Sequence, residues 1–472
     1  MAKHFNRVCI IGAGASGLTS TKACLEQGIR PTCLEKTSDL GGMWNNAERI
    51  KHNISPTLYP SLIANLSKVV SSFSDFPIPK DWPPYLSKNM TLDYFRMYAE
   101  NFSLTQHIQF NTEVIKVFPS KSYDVSGSWI VRTKDLITND VDEKEYSAII
   151  VATGKHAKKF YANVPGLDAT FNGEVIHAGD YINQEIFRDK SVLVIGSGST
   201  GCDIACEAAS TAKNVFLSAR HGTWLTPRLQ KKGLPFDVTI TNRFRRRLHP
   251  WMPSWIVNRR FQNILESRVN HEACGLKSMY PPTSRLVVTT INDNLPMKIY
   301  SGQVKTRPDI KRITENHATF TNGAKDEVDV IVMATGYTTE FPFLSDNVFP
   351  GNLEKARLHK WIFPFELQHI SSLTFIGIFP AGSGAITMNA ELQARFVSQV
   401  LTGRKQLPSK ESMQNTWKKS RDVVLQNTGG RFAFKVLIVL FSLFEFCRFC
   451  RKLSKNSLYL TYKPQVIIIF YN

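Results

Sequence analysis

An α/β fold with two parallel-sheet units is predicted for this chain, and three observations carry the prediction. Gly12-Ala13-Gly14-Ala15-Ser16-Gly17 follows the apolar run Val8-Cys9-Ile10-Ile11 and precedes Leu18 to Leu25, which can continue as a helix. Gly196-Ser197-Gly198-Ser199-Thr200-Gly201 stands in the same context, between Ser191-Val192-Leu193-Val194-Ile195 and the helix-compatible stretch Cys202 to Ala212. An Ala-Thr-Gly turn closes a further apolar strand twice, at Ala148 to Gly154 and at Val328 to Gly336.

The glycines of such turns permit the bend from strand to helix, leave the backbone open to a pyrophosphate and let helix pack on strand. Free N–H groups at the helix start and the helix dipole favour the anion. One match is weak, since a parallel sheet can carry glycine-rich turns for purely structural reasons. Two matches in strand–turn–helix context point to two Rossmann-like units that bring two dinucleotides together. Glu35 ends the strand Thr32-Cys33-Leu34, and 35 − 12 = 23 puts it where a ribose-binding acid belongs, about 20 residues on. The strand Val215 to Ser218 ends instead in Ala219-Arg220, and a cation there suits a 2′-phosphate. The expectation is FAD on Gly12, Ala13, Gly14, Ala15, Ser16, Gly17 and Glu35. NADPH rather than NADH is expected on Gly196, Gly198, Ser199, Thr200, Gly201, Ser218 and Arg220, with Arg228 a further candidate for the phosphate.

The repeated turn suggests that the chain leaves the first unit near Gly154 and re-enters it near Gly336. The predicted division is 1–155 for the first part of the FAD unit, 156–330 for the NADPH unit with a basic, aromatic insertion at about 222–300, 331–430 for the rest of the FAD unit, and 431–472 for a hydrophobic tail. Lys134 to Glu145 reads as hairpin or loop.

Across 472 residues, 43% apolar and 21% charged side chains suit a globular protein rather than a disordered one. A net charge of +19 favours an anionic partner such as a membrane surface or phosphorylated cofactors. No nucleic-acid motif accompanies it, so nucleic acid is not expected. The eight cysteines are scattered, and Cys447-Arg448-Phe449-Cys450 is a lone CxxC, so no metal is expected. With the first strand starting by Val8, no signal peptide is expected, and four Asn-x-Ser/Thr triplets, one of them at Asn65, read as chance matches.

Arg243, Arg245, Arg246, Arg247, Arg259 and Arg260 are interleaved with Trp251, Met252, Trp255, Ile256 and Phe261. That pattern suits a bilayer interface or, equally, a solvated basic face over buried aromatics. Phe432 to Phe449 is apolar but interrupted by Lys435, Glu445 and Arg448, which is marginal for a span and is read as a tail anchor or interfacial helix, with a core helix as the alternative.

Phe171-Asn172-Gly173-Glu174-Val175-Ile176-His177-Ala178-Gly179-Asp180-Tyr181 fits the pattern FxGxxxHxxxY. With Leu40 to Trp44, Phe73 to Pro77, Gly201 to Ala205, Asn270 to Leu276, Asn292 to Pro296, Ala334 to Tyr337 and Leu392 to Arg395, it makes the chain, over about residues 5–410, resemble the flavin-containing monooxygenases of the animal, dimethylaniline-oxidising type. The resemblance implies NADPH-reduced FAD, O2 held as a C4a-hydroperoxide, and N- or S-oxygenation of small amines and sulfur compounds. It implies a catalytic Asn65 against flavin and NADP, with Gly42, Met43, Trp44, Leu66, Asp203 and Gln393 at the cofactors and His177 in a structural role. It also implies the cytosolic face of the endoplasmic reticulum membrane. The sequence departs from the family at Ser199-Thr200, where an asparagine is usual, at Thr387-Met388-Asn389, and after about Pro408. A Baeyer–Villiger oxygenase acting on ketones and a catalytically silent FAD/NADP-binding membrane protein are the alternatives. A disulfide reductase would need a redox cysteine pair beside Gly41-Gly42, and there is none.

Overall fold

The computed structural model describes residues 5–54, 56–156, 158–240, 252–280, 289–349, 356–379 and 384–426. The apolar runs form two five-stranded parallel sheets. Across the first, the order is Leu373–Phe375, Ala148–Val151, Arg7–Ile11, Arg30–Leu34, Ile108–Gln109. The second runs Lys305–Arg307, Asn214–Ser218, Ser191–Ile195, Val330–Met333, Glu174–His177. Their central strands are buried along nearly their whole length, as parallel strands must be when both faces are covered. This explains why they read as unbroken apolar runs without alternation.

Both glycine-rich turns leave the carboxyl ends of central strands. Ile11 pairs with Leu34 on one side and Val151 on the other, and Gly12 N donates to Leu34 O at 2.8 Å. In the second sheet Ile195 pairs with Ser218 and Met333, and Gly196 N donates to Ser218 O at 3.1 Å. The helices that follow, Ala15–Glu26 and Ser199–Ala208, begin a few residues earlier than the sequence suggested.

The boundary expected at 330 needs a correction. Strand Val330–Met333 lies wholly in the second sheet, so the chain turns back only after Met333. Its apolar side chains could belong to either sheet, and only pairing decides. The two crossings meet: Lys158–Lys159 pairs antiparallel with Tyr337–Thr338. Trp129–Asp135 and Val141–Tyr146 form the expected hairpin, which joins Thr112–Pro119 in a small antiparallel sheet.

Lys22 is buried beside Glu26 and Asp75, and Arg395 bonds Asp75 at 2.9 Å and pairs with Glu391. This cluster ties helix Ala15–Glu26 and helix Ile386–Leu401 to the Phe73-to-Pro77 loop, giving those motifs a structural role. Arg243 to Arg247, Trp251, Phe432 to Phe449, the whole 431–472 tail and the Cys447/Cys450 pair lie outside the described residues. Among the described residues, no helix is long and apolar enough to cross a membrane. The six described cysteines are unbonded, and burial pushes Cys24 up to about 12, far from a reactive thiol.

Candidate functional site

The two glycine-rich turns share one geometry. Each helix starts at a glycine with extended backbone, Gly14 or Gly198, and neither start carries a side-chain cap. The first N–H groups are therefore available to an anion. The glycines divide by what surrounds them. A Cβ at Gly17 would overlap Gly12 O, and one at Gly201 would overlap Gly196 O, so these positions are closed by the fold. Among the described residues, a Cβ at Gly198 would meet nothing within 4 Å, and one at Gly14 would meet only Gly42, its Cα at 3.5 Å and its N at 3.9 Å. The middle glycines thus keep a surface clear that the fold itself does not fill.

Around the first turn, Glu35 is buried at its strand end. Its Oε2 accepts from Ala13 N at 2.7 Å, and its Oε1 accepts from Thr37 N and Oγ1, both at 2.9 Å. An ionised carboxylate has about four acceptor sites, so capacity remains for ribose hydroxyls. Gly41 N donates to Ala13 O at 3.1 Å, which docks the short helix Gly42–Trp44, with Met43 in it, against the turn. Gln393 is buried and accepts from Gly377 N at 2.9 Å, while a Cβ at Gly377 would overlap Ser16 Oγ. Gln393 therefore supports the strand end that closes on Ser16; its amide oxygen is engaged there.

Around the second turn, Arg220 is exposed just past its strand. Ser218 is different. Its hydroxyl is buried and donates to Pro308 O at 3.0 Å, so it is spent within the protein. Thr200 is exposed in the first helical turn, and Ser199 Oγ accepts from Ile291 N at 3.3 Å. Asp203 accepts from Tyr59 at 2.5 Å and from Asn292 Nδ2 at 2.6 Å, and burial pushes its carboxyl up. That carboxylate orients neighbours and is largely consumed by them.

Asn65, with Leu66, lies on a segment held from both sides. Toward the first unit, Ala64 N donates to Leu86 O at 2.8 Å and Lys68 N to Pro84 O at 2.7 Å. Toward the second, Thr57 N donates to Gly179 O at 2.8 Å, Tyr59 reaches Asp203, Ser61 bonds Glu207, and Ser67 N donates to Asp237 at 2.6 Å. Arg228 is a correction. Its guanidinium bonds Asn65 Oδ1 and Asp293 rather than standing free for a 2′-phosphate. Nothing in the sequence pointed to Arg228 and Asp293 beside Asn65, although Asp293 sits in the Asn292-to-Pro296 motif.

His177 is buried, with Nδ1 accepting from Gly179 N at 3.0 Å and Nε2 3.1 Å from Gly336 O. Burial lowers its pKa, and it pins the paired crossings as a neutral ring. Tyr181, also buried, donates to Glu207.

A family model described as flavin-binding monooxygenase-like matches residues 5–446. The chain is 39% identical to a flavin-containing monooxygenase 5 of Rattus norvegicus, covering 89% of this chain and 78% of the relative. It is 40% identical to a flavin-containing monooxygenase 1 of Homo sapiens, covering 85% and 75%. It is 37% identical to a dimethylaniline monooxygenase (N-oxide-forming) 2 of Macaca mulatta, covering 86% and 75%. In fold it is similar to an S-allyl-L-cysteine S-oxygenase from Allium sativum, with TM-score 0.69, 23% identity and coverage of 97% and 90%. A cyclohexanone monooxygenase also shares the fold, with TM-score 0.64, 16% identity and coverage of 95% and 98%.

Proposed function

The chain belongs to the flavin-binding monooxygenase-like family, and on that premise we propose that it adds one oxygen atom from O2 to the nitrogen or sulfur of small, soft nucleophiles. It is an NADPH-dependent flavoprotein monooxygenase. FAD, reduced by NADPH, supplies the activation of O2; the protein's part is to bind, orient and exclude water.

The residues fit both dinucleotides. In this reading the Gly12–Gly17 turn takes the FAD diphosphate, Glu35 its ribose, and Gly42, Met43 and Trp44 line its path. The Gly196–Gly201 turn takes the NADPH diphosphate and Arg220 its 2′-phosphate. The first unit spans about 1–155 and resumes after the second, which is inserted between the crossings at 151–174 and beyond Met333. Ser218, Asp203 and Gln393 act through neighbours.

The observation that carries the reading is the placement of Asn65 on a segment bonded to both units. An amide there offers hydrogen bonds without an acidic proton to release. Product analysis with a tertiary amine, a thioether and a ketone tests it. N-oxide and S-oxide are expected in preference to ester; ester as the main product would reverse the assignment.

The same proposal includes attachment to the cytosolic face of an internal membrane, the endoplasmic reticulum. The net charge of +19 supports it, as do exposed Trp255, Arg259 and Arg260 on helix Ser254–Glu266, whose Phe261, Ile264 and Leu265 pack inward. Recovery of the full-length protein entirely in the soluble fraction at moderate salt would contradict it.

A further inference from the structure

Asn65 is exposed, yet one face of its amide is fixed. Oδ1 accepts from Arg228 Nη2 at 2.9 Å. A guanidinium has donors only, so the amide oxygen must face it and the NH2 group must face away. Arg228 is itself held on several sides. Nη1 donates to Asp293 Oδ2 at 2.8 Å, Nε to Ala64 O at 3.3 Å and Nη2 to Ile63 O at 3.2 Å. Its backbone N donates to Asp293 Oδ1 at 2.8 Å, and its carbonyl accepts from Phe236 N at 2.8 Å and from the Tyr85 hydroxyl. The side chain is 11% exposed. A nearly buried fork of donors thus grips both the backbone before Asn65 and the amide itself, across 163 residues of chain.

We propose that Arg228 is a positioning residue for the monooxygenation: it sets Asn65 as a hydrogen-bond donor toward the bound dinucleotides. An unrestrained amide can present oxygen or nitrogen to a ligand by rotating about its last bond, and only the NH2 face can donate. Arg228 removes that choice. Because Arg228 and Asp293 belong to the second unit, the orientation of Asn65 is set by the unit that carries the Gly196–Gly201 turn. The proposal rests on the reading of Asn65 as facing ligand.

The test uses purified, FAD-loaded protein and two readouts. One is the dissociation constant of NADP+ for the oxidised flavoprotein, followed by flavin absorbance. The other is hydrogen peroxide released per NADPH. Asn65→Ala sets the reference. Arg228→Met should match it in peroxide release and weaken NADP+ by about tenfold, and the double variant should be no worse than Asn65→Ala alone. Arg228→Lys keeps a charge against Asp293 but cannot also hold the two carbonyls and the amide. It should melt near the wild type and still leak peroxide, which keeps the test open if Arg228→Met fails to fold. An Asn65→Ala variant with both readouts unchanged would overturn the reading of Asn65 and this proposal with it. An impaired Asn65→Ala beside an Arg228→Lys that behaves as wild type, or losses that add in the double variant, would overturn the role of Arg228 alone.

Discussion

Glu35 Oε2 accepts a hydrogen bond from the backbone N–H of Ala13 at 2.7 Å, joining the end of one strand to the turn that leaves its neighbour. The acid therefore orders the turn beside which the proposed FAD ribose would lie. Glu35→Ala removes three accepted bonds from a buried site and leaves Ala13 N without its partner. A loss of about 1–3 kcal/mol per stranded donor is expected. The variant should retain FAD poorly and melt lower, read from the flavin-to-protein absorbance ratio and a thermal scan. Full flavin content would detach Glu35 from the cofactor.

Gly14 and Gly17 should fail in different ways. A Cβ at Gly14 would make only ordinary van der Waals contact with Gly42, so Gly14→Val should fold and lose FAD. At Gly17 the added carbon overlaps Gly12 O, so Gly17→Ala should be recovered poorly or not at all. Circular dichroism beside flavin absorbance separates the two outcomes. Gly14→Val with normal flavin would remove the first turn as the diphosphate site.

Arg220 and Ser218 should separate as well. Arg220→Ala should raise the KM for NADPH by about tenfold, equivalent to about 1.4 kcal/mol, with NADH little changed. Ser218→Ala should alter KM little, because its hydroxyl already serves Pro308 O. Equal losses with both coenzymes after Arg220→Ala would give that arginine a structural role.

Stability should fall as pH drops below about 6.5, the ordinary histidine value. Burial lowers the pKa of His177, His221 and His271 in the folded protein. The unfolded chain therefore takes up protons first as pH falls, so the stabilisation present above the unfolded value is lost through the folded ones. For His177, protonation would also set Nδ1–H against Gly179 N–H. Melting temperature against pH should show the decline, and His177→Ala should make it shallower while lowering stability at neutral pH. A flat profile from pH 5 to 7 would contradict it.

What the sequence made legible was local. The two turns, the strands before them and the helices after them depend on neighbouring residues, and the acid at Glu35 follows at a fixed spacing. Pairing was not legible. Val330 to Met333 could have joined either sheet, and the sharing of Asn65 and Arg228 spans 163 residues. The hydrogen bond of the Ser218 hydroxyl was hidden for the same reason, because the Pro308 carbonyl that accepts it lies 90 residues away. Glu391, buried under Arg395 and Ser74, gave no signal because an acid in a helix beside an arginine four residues on reads as an ordinary surface pair.

The most direct test of the account is the stoichiometry of NADPH, O2 and product in the purified, FAD-loaded protein supplied with a tertiary amine or a thioether. One NADPH and one O2 should be consumed for each N-oxide or S-oxide formed, with little hydrogen peroxide released. FAD-loaded protein that takes up no O2 with NADPH, or that converts nearly all of it to hydrogen peroxide whichever nucleophile is present, would contradict the assignment of a monooxygenase.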